Sequence, residues 1–539
     1  MNPISHLIER VLKAPPPITR DLVVQRDLRV PMPDGTVLLA DRWAPRAGDA
    51  SSSSTLPTVL YRSPYGRRGM LGIMLGRLMA ERGFQVLIQS ARGTFGSGGT
   101  FDPMRQERQD GLATLDWVVK QPWFDESVVL MGPSYLGYVQ WAVADSLPPQ
   151  VKAMVPHVTE SALTLEFLRK DGLSLETPVS WGIQMAGQER RLALLRQLVS
   201  GRRNAHVLNT LPLGQADAAA TGSRIDYVQD VLAHDADSPR WAGFDQSHRV
   251  AKVSVPVLSI GGWYDVFLPG QLRDFRALQD AGRTARLTIG PWKHTSMDPI
   301  AVRESIEFAL AHGRGEQPPP RAPVRLYVMG DEAWRSFETW PPAGHPDRRF
   351  YLQPDGVLST DLPGESEPDA YRYDPNDPTP AVGGILLRSR GGGRVDNAKL
   401  EARTDVLTYT TAVLGGDVEV IGDVSAEIWF RSSRPSADVF VRLCDVHPDG
   451  RSYNVCDGLV SLSGADEIAC ARVQLWSTAH RFKRGHRIRV QVSSGAFPRY
   501  ARNPGTGESH ATATVLRPAD QTIYHDATRP SAVILPTLA

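Results

Sequence analysis

The chain has 539 residues, more than one hydrophobic core usually organises, so its length predicts two or three domains. Hydrophobic residues make up 41% of the chain and charged residues 22%, a composition typical of soluble globular proteins. The formal net charge is only +1, which excludes the strongly basic surface that nucleic acids and anionic membranes select, so we expect neither as a partner.

The N-terminal residues 1–13 have apolar side chains at helical spacing but lack the unbroken apolar core and cleavage site of a secretory signal. No later stretch has the apolar length that a bilayer span requires. The cysteines, Cys444, Cys456 and Cys470, show no C-x-x-C spacing, and their odd number argues against a complete disulfide framework. The sequence therefore predicts a cytoplasmic protein with reduced thiols, and it leaves homo-oligomer formation open.

The first half of the chain alternates between strand-like and helix-like segments. Asp34-Gly35 lies between two apolar runs and predicts a β-hairpin over residues 27–43. Compact apolar runs such as 84–88 then alternate with segments such as 112–119, in which apolar residues recur at helical spacing. This alternation predicts a mainly parallel sheet with helices on both faces, the α/β class.

Two changes in this pattern divide the rest of the chain. Residues 142–241 are largely helical and polar, and an insertion there would cover the carboxyl edge of the sheet, where ligands bind in open α/β folds. From residue 343 onward the segments are short, β-rich and separated by Gly, Pro, Asn and Asp, which predicts an all-β sandwich of the jelly-roll type. We therefore predict an α/β domain over 1–141 and 242–342, a helical cap over 142–241 and a jelly roll over 343–539.

Ser134 is the first candidate for chemistry. It follows an apolar run and precedes a predicted helix, as does the serine of the nucleophile elbow of α/β-hydrolases. The usual G-x-S-x-G spacing is shifted here, because Leu136 takes the place of the second glycine and Gly137 follows it. The alternative interpretation is a serine that only caps a helix.

An α/β-hydrolase also needs an acid and a histidine, in that order along the chain and each just after a strand. Asp265 follows the apolar run 255–260, and His294 follows the run that ends at Gly290. In this interpretation His294 removes the Ser134 proton, and Asp265 orients and stabilises the imidazole. Taken singly, Asp265 could be a turn residue and His294 a surface histidine; the shared order and placement favour a triad.

The tetrahedral intermediate of acyl transfer needs donors for its oxyanion. The backbone N–H of Tyr135, the residue after the nucleophile, is predicted as one donor. The second should follow an earlier strand, where the chain has Tyr65 and no run of glycines. Its phenol could donate to the oxyanion, or its ring could simply pack at the strand end.

Several motifs agree with one family. They are Asp34-Gly35, Ala40-Asp41, Ser63-Pro64-Tyr65, Ala91-Arg92-Gly93, Gln121-Pro122-Trp123, Ser134-Tyr135-Leu136-Gly137, Gly262-Trp263-Tyr264-Asp265, Gly290-Pro291-Trp292-Lys293-His294 and Tyr373-Asp374-Pro375. Over most of its length the chain resembles the cocaine esterase-like (CocE/NonD) acyl hydrolases, which are related to the X-prolyl dipeptidyl-peptidases of the S15 family. The resemblance implies an α/β-hydrolase domain with a helical cap and a C-terminal jelly roll, and it implies Tyr65 as an oxyanion donor. One departure is Ser90, where the family often has aspartate.

The resemblance also bears on the substrate. Relatives that act on α-amino-acid esters have acidic residues two and three places after the catalytic aspartate, which hold the ammonium group of the substrate. This chain has Phe267 and Leu268 there, and an apolar pair cannot balance a buried cation. We therefore expect Phe267 and Leu268 to bind an apolar or aromatic acyl group of a small-molecule ester.

Other functions remain open on the sequence. The same triad serves amide or β-lactam side-chain deacylation, X-prolyl peptidases and acyl transfer to an acceptor other than water. X-prolyl peptidases usually have a longer N-terminal region than this chain. A function of a different class is binding of carbohydrate or a partner chain by the β-sandwich, without catalysis.

No cofactor and no metal is predicted. The chain has no H-E-x-x-H motif, no paired cysteines and no EF-hand loop. The glycine-rich residues 93–99 match neither the dinucleotide-binding spacing nor the P-loop.

Overall fold

The computed structural model describes residues 3–46, 56–163, 172–189, 206–296, 298–387 and 391–538. The predicted cap is therefore described only in part, because 164–171 and 190–205 lie outside these ranges. Among the described helices, none combines the length and apolar character needed to cross a bilayer.

The first ten strands form one mixed sheet. They are β1 Leu22–Pro31, β2 Val37–Pro45, β3 Thr58–Ser63, β4 Gln85–Ser90, β5 Val128–Pro133, β6 Val151–His157, β7 Val257–Tyr264, β8 Ala285–Lys293, β9 Val324–Val328 and β10 Ala333–Phe337. Their order is β1-β2-β4-β3-β5-β6-β7-β8-β9-β10. The seven strands from β4 to β9 in this order run parallel, and antiparallel pairs close both ends. The predicted hairpin is the β1–β2 pair, in which Pro31 lies opposite Val37.

The described helices lie mainly on the two faces of this sheet and in the cap. They are α1 Pro3–Leu12, α2 Gly69–Leu71, α3 Leu78–Ala80, α4 Glu107–Val118, α5 Tyr135–Trp141, α6 Glu176–Gly187, α7 Ala216–Thr221, α8 Asp226–Ala233, α9 Ser247–Val250, α10 Leu268–Asp280, α11 Pro299–Gly313 and α12 Ala398–Glu401. A π-helical segment, Gly72–Arg77, joins α2 to α3, and 3₁₀ turns occupy Leu213–Gln215, Pro239–Trp241 and Pro354–Gly356.

The strands are apolar on both faces because each face packs against helices. Within β3, Val59 and Tyr61 belong to one hydrophobic core, while Leu60 belongs to another on the opposite face. Helix α4 contributes Leu115 to the second core, and α11 contributes Phe308 to the first. Near-continuous apolar runs are the pattern expected of parallel strands covered on both sides.

The insertion into the sheet begins later than predicted. Strand β6 lies within the range 142–241 but is a central strand, hydrogen-bonded between β5 and β7. The described cap helices α6, α7 and α8 therefore lie between β6 and β7. The prediction missed β6 because Lys152 and Pro156 interrupt its apolar pattern. The other boundaries of the predicted division stay a proposal.

The C-terminal part is all β apart from short helical turns. Its strands are β11 Asp347–Gln353, β12 Val357–Ser359, β13 Asp369–Tyr373, β14 Leu407–Thr410, β15 Val418–Gly422, β16 Ser425–Ser432, β17 Ser436–Val446, β18 Ser452–Ser463, β19 Ala469–Gln474, β20 Thr478–Phe482, β21 Arg487–Ser493, β22 Ala519–Asp526, β23 Arg529–Pro530 and β24 Ala532–Pro536. Twelve of them form one large sheet, and β15 pairs with β20. Side chains from both halves of the large sheet share one core, which includes Phe430, Val441 and Ile523. The fold class predicted from the sequence, α/β followed by a β-sandwich, is confirmed.

Candidate active site

Ser134 occupies a sharp turn between β5 and α5. Its backbone has φ 57° and ψ −124°, a conformation that a residue other than glycine adopts only when its surroundings impose it. The Ser134 N–H donates to the carbonyl of His157 at 2.9 Å, which ties the turn to the end of β6. This geometry lifts the hydroxyl above the carboxyl edge of the sheet, as a nucleophile elbow requires.

The glycines around Ser134 explain the shifted motif. A Cβ atom added at Gly132 would lie 2.5 Å from the Cβ of Leu136. A Cβ added at Gly137 would lie 2.3 Å from Cγ2 of Thr159. Close packing therefore excludes a side chain at positions 132 and 137, whereas Leu136 is buried in the core. The second glycine is needed one residue later than in the usual motif.

The structure brings the three predicted side chains into one hydrogen-bonded chain. His294 Nε2 lies 3.0 Å from Ser134 Oγ, and His294 Nδ1 lies 2.7 Å from Asp265 Oδ2. The other oxygen of Asp265 accepts the Phe267 backbone N–H at 2.8 Å. Asp265 is fully buried and His294 nearly so. An imidazole held at both nitrogens in this way can pass a proton from the hydroxyl while the carboxylate fixes its tautomer.

Small residues at the ends of β7 and β8 bring Asp265 and His294 together. Asp265 follows β7 and His294 follows β8, its parallel neighbour. A Cβ at Gly262 would lie 2.3 Å from the carbonyl oxygen of Trp292, and a Cβ at Gly290 would lie 2.3 Å from the Trp292 ring. The Trp292 residue thus fills the space that side chains at both glycines would need, and the two strand ends can approach each other.

The two predicted oxyanion donors lie beside Ser134. Tyr135 is the first residue of α5, so its N–H has no acceptor within the helix. The phenol oxygen of Tyr65 accepts the indole N–H of Trp181 at 3.0 Å, and Tyr65 lines the same pocket as Ser134. Burial raises the pKa of Tyr65 above its ordinary value, and the hydrogen bond from Trp181 opposes the rise only in part. The phenol is therefore neutral at pH 7 and carries a proton that it can donate.

Two hydrogen bonds and an aromatic contact hold the Tyr135 side chain in place. Its hydroxyl donates to Glu107 at 2.6 Å and accepts the Met104 backbone N–H at 3.0 Å. Its ring lies nearly parallel to the Trp181 ring, with 6.1 Å between centroids. The backbone N–H of Tyr135 is therefore attached to a rigid framework.

A narrow pocket opens beside Ser134, and no charged side chain lines it among the described residues. Its walls include Met104, Leu163, Trp181, Tyr227, Phe267 and Leu387. The Phe267 ring packs edge-on against the His294 ring at 5.2 Å, so a group bound against Phe267 lies next to the triad. Such a pocket suits an uncharged, apolar part of a substrate.

Leu268 is not brought to this pocket. It is fully buried and packs with Trp263, Leu272 and Phe275 in a separate core. Successive residues of a helix point about 100° apart, so the first residue of α10 turns away from the face that Phe267 presents. Of the two residues predicted to bind substrate, the structure brings Phe267 to the pocket and not Leu268, and the binding role of Phe267 stays a prediction.

Seven described residues of the pocket lining were missed by sequence reasoning, and Trp181 and Leu387 illustrate why. Trp181 comes from cap helix α6, and Leu387 comes from the C-terminal part. Neither stands in a motif or at a strand end, and both reach the pocket through contacts between distant parts of the chain. No local signal in the sequence could have found them.

Comparisons with known proteins agree with this fold. A family model described as X-Pro dipeptidyl-peptidase (S15 family) matches residues 34–296, and the model of the C-terminal non-catalytic domain of these peptidases matches residues 319–534. Cocaine esterase of Rhodococcus sp. (strain MB1 Bresler) is 32% identical and is aligned over 96% of this chain and 98% of its own.

Two solved structures superpose over nearly the whole molecule. An aminopeptidase from the marine sediment archaeon Thaumarchaeota archaeon has a TM-score of 0.84 at 22% identity, and an α-amino acid ester hydrolase has a TM-score of 0.81 at 21% identity. Each alignment covers 96% of this chain and 97% of the other. At this identity they establish the shared fold. Together with the family models and the esterase, they show that the chain belongs to the cocaine esterase-like (CocE/NonD) hydrolases of the S15 peptidase family and is a serine hydrolase.

Proposed function

We propose that the protein hydrolyses carboxylic esters with an apolar or aromatic acyl group, through a covalent intermediate on Ser134. The observation that carries this proposal is the hydrogen-bonded chain from Ser134 through His294 to the buried Asp265, beside a pocket whose described lining is uncharged. Hydroxyl, imidazole and carboxylate in this arrangement are the minimal machinery for acyl transfer.

In the first half-reaction Ser134 Oγ attacks the carbonyl carbon of the ester while its proton moves to His294 Nε2. Asp265 stabilises the resulting imidazolium. The carbonyl oxygen becomes an oxyanion, and the Tyr65 phenol and the Tyr135 N–H donate to it. The intermediate collapses, the C–O bond to the alcohol breaks, and His294 returns the proton to the departing alkoxide. Water repeats the sequence on the acyl-enzyme and releases the acid.

The side chains that line the pocket favour a substrate with an apolar acyl group. A substrate with an α-ammonium group would need a carboxylate near the reacting carbon, and the described lining offers Phe267 and other uncharged side chains instead. The matched family model is named for X-Pro dipeptidyl-peptidases, which release a dipeptide that carries such an ammonium group. The absence of a carboxylate from the described lining therefore favours esters over these peptides. The name of the 32% identical relative, cocaine esterase, points in the same direction.

A fluorophosphonate probe tests the assignment of the nucleophile. We expect covalent labelling of the wild-type protein and loss of labelling in Ser134→Ala, together with a fall in ester turnover on the order of 10⁶-fold. Ser146→Ala, which removes an exposed serine from the loop after α5, is the matched control and should label like the wild type. A folded wild-type protein that does not react with the probe would favour the β-sandwich binding function.

A substrate panel tests the acyl preference. Turnover should be faster for aryl and alkyl esters of apolar acids than for α-amino-acid esters, and faster for each ester than for its matching amide. An alcohol added during turnover tests for acyl transfer. If the alcohol accepts the acyl group in place of water, part of the product is a new ester rather than the free acid. Preference for amino-acid esters or for amides would contradict the proposal.

A further inference from the structure

A second cluster of reactive side chains lies in the C-terminal part and includes no residue of the triad. Asp445 lies near the end of β17, His447 directly follows this strand, and His486 directly precedes β21. The two strands pair antiparallel with Val446 opposite Arg487, so the register places His447 across from His486. Residues that are 39 positions apart in sequence therefore meet at one end of the sheet, which is why no sequence motif announces them.

The atoms of this cluster face one another at short range. His486 Nδ1 lies 2.8 Å from Asp445 Oδ1, and His447 Nε2 lies 3.6 Å from Asp445 Oδ2. The three ligand atoms that the cluster can offer all lie within 4.8 Å of one another. Ligands of a tetrahedral zinc ion at about 2.1 Å stand about 3.4 Å apart, so small rotations of the rings would suffice to surround one ion.

A fourth residue holds the carboxylate. His480, from β20, is buried, and its Nε2 lies 3.0 Å from Asp445 Oδ2. Partners of this kind around a ligand fix its orientation and are typical of metal sites in proteins. Asp445 is almost completely buried, whereas His447 and His486 are partly exposed, so the cluster is rigid at its base and open toward solvent.

The hydrogen bond from the neighbouring Arg394 shows that His447 Nε2 carries a lone pair rather than a proton. A guanidinium nitrogen of Arg394 donates to His447 Nε2 at 3.0 Å, and this guanidinium also lies over the Tyr453 ring. A ring nitrogen that accepts a hydrogen bond is in the unprotonated form that a metal ion requires. Arg394 is about a third exposed and can turn toward solvent when an ion takes its place.

We propose that Asp445, His447 and His486 form a binding site for a divalent transition-metal ion, with His480 positioning the carboxylate. Two imidazoles and one carboxylate suit zinc, nickel or copper, whereas calcium and magnesium prefer sites made of oxygen. Three protein ligands leave one position of a tetrahedral ion for water. The site is separate from the ester chemistry, and its test does not depend on that chemistry.

Calorimetric titration of the untagged, chelator-treated full-length protein with zinc chloride tests this site. We expect one zinc ion per chain, with at least tenfold weaker binding in His447→Ala and in His486→Gln. The glutamine amide of the second variant could still donate to Asp445, so this variant keeps the local hydrogen bond while losing a strong ligand. His234→Ala, which removes a cap histidine beside Asp230, is the matched control and should bind zinc like the wild type.

Two further readouts separate a metal site from a merely structural cluster. Zinc should raise the Tm of the wild type and of His234→Ala, and it should leave the Tm of His447→Ala unchanged. Arg394→Ala should bind zinc at least as tightly as the wild type, because it removes a competitor for His447 Nε2. No stoichiometric binding by the wild type, or equal binding by all the histidine variants, would overturn the proposal, as would weaker binding by Arg394→Ala.

Discussion

Tyr65 shows how a single hydroxyl is oriented for a task. A phenol has one proton and two lone pairs, and the Trp181 N–H occupies one of the lone pairs. Because the Trp181 N–H holds the phenol oxygen in the pocket that Ser134 also lines, the phenol proton is available to an oxyanion that forms beside Ser134. Burial keeps the phenol protonated by raising its pKa, so Tyr65 acts as a donor rather than as a base.

The residue-scale prediction follows from this orientation. Tyr65→Phe keeps the ring and removes the donor, so kcat should fall by roughly 10²–10³, the cost of one oxyanion-hole donor, while KM changes little. Steady-state kinetics on an ester of an apolar acid measure both constants.

Trp181→Phe is the companion variant. It keeps an aromatic ring near Tyr135 and removes the indole N–H that orients the phenol, together with part of the ring volume, so we expect a smaller fall in kcat than in Tyr65→Phe. If Tyr65→Phe kept the wild-type kcat, Tyr65 would not be an oxyanion donor.

At the scale of elements, the sequence predicts what is local. An apolar strand, a glycine-flanked serine and a helix follow one another within about a dozen residues, so the Ser134 turn is visible without a structure. Asp265 and His294 are visible for the same reason, because each follows a strand. Strand β6 and the orientation of Leu268 were missed, because Lys152 and Pro156 obscure the strand and helical geometry turns Leu268 away from its neighbour.

The prediction at the scale of elements concerns the close packing of helix α5 against Thr159. Gly137→Ala would place a methyl group 2.3 Å from Thr159 Cγ2 and 3.1 Å from the carbonyl oxygen of Gly132, so α5 must move. Overpacking of this kind costs about 1–3 kcal/mol, and the displaced helix carries the Ser134 turn with it. Both the Tm and kcat/KM should fall, as measured by thermal unfolding and ester hydrolysis.

Gly187→Ala is the matched control. Gly187 is the last residue of α6, and a methyl group added there meets no atom within 4 Å. Because glycine in a helix is about 0.5–1 kcal/mol less favourable than alanine, this variant should be neutral or slightly more stable. An equal loss of Tm in both variants would mean that Thr159 is not what excludes a side chain at position 137.

At the scale of the whole molecule, the site depends on contacts that connect its three parts. Leu387 brings the C-terminal part to the pocket, and a short backbone ladder joins that part to the cap. In this ladder Leu175 N–H donates to the Arg499 carbonyl at 2.8 Å, and Ala501 N–H donates to the Leu173 carbonyl at 2.9 Å. The ladder anchors the start of α6, which carries Trp181 to Tyr65. Contacts between residues more than 300 positions apart leave no pattern in a single sequence, so this part of the site could not be predicted.

The stability of the whole molecule should depend on the protonation of His157, whose carbonyl holds the Ser134 turn. The Ser305 hydroxyl donates its proton to the Ala301 carbonyl and therefore accepts a hydrogen bond from His157 Nε2 at 2.8 Å. Burial lowers the pKa of His157 from 6.5 to about 4. The unfolded chain therefore binds a proton near pH 6.5 and the folded protein only near pH 4, so this contribution to stability is complete above pH 6.5 and is lost as the pH falls toward 4. The loss amounts to at most about 3 kcal/mol.

Thermal unfolding at about pH 7.5 and about pH 5 measures this dependence. His157→Gln can keep the hydrogen bond to Ser305 but cannot titrate, so its Tm should fall less between the two pH values than that of the wild type. His234→Gln replaces a partly exposed histidine of the cap and should follow the wild-type pH dependence. Because the difference between the two variants isolates one buried imidazole from the other titrating groups, parallel Tm curves for all three proteins would show that His157 does not cause the acid sensitivity.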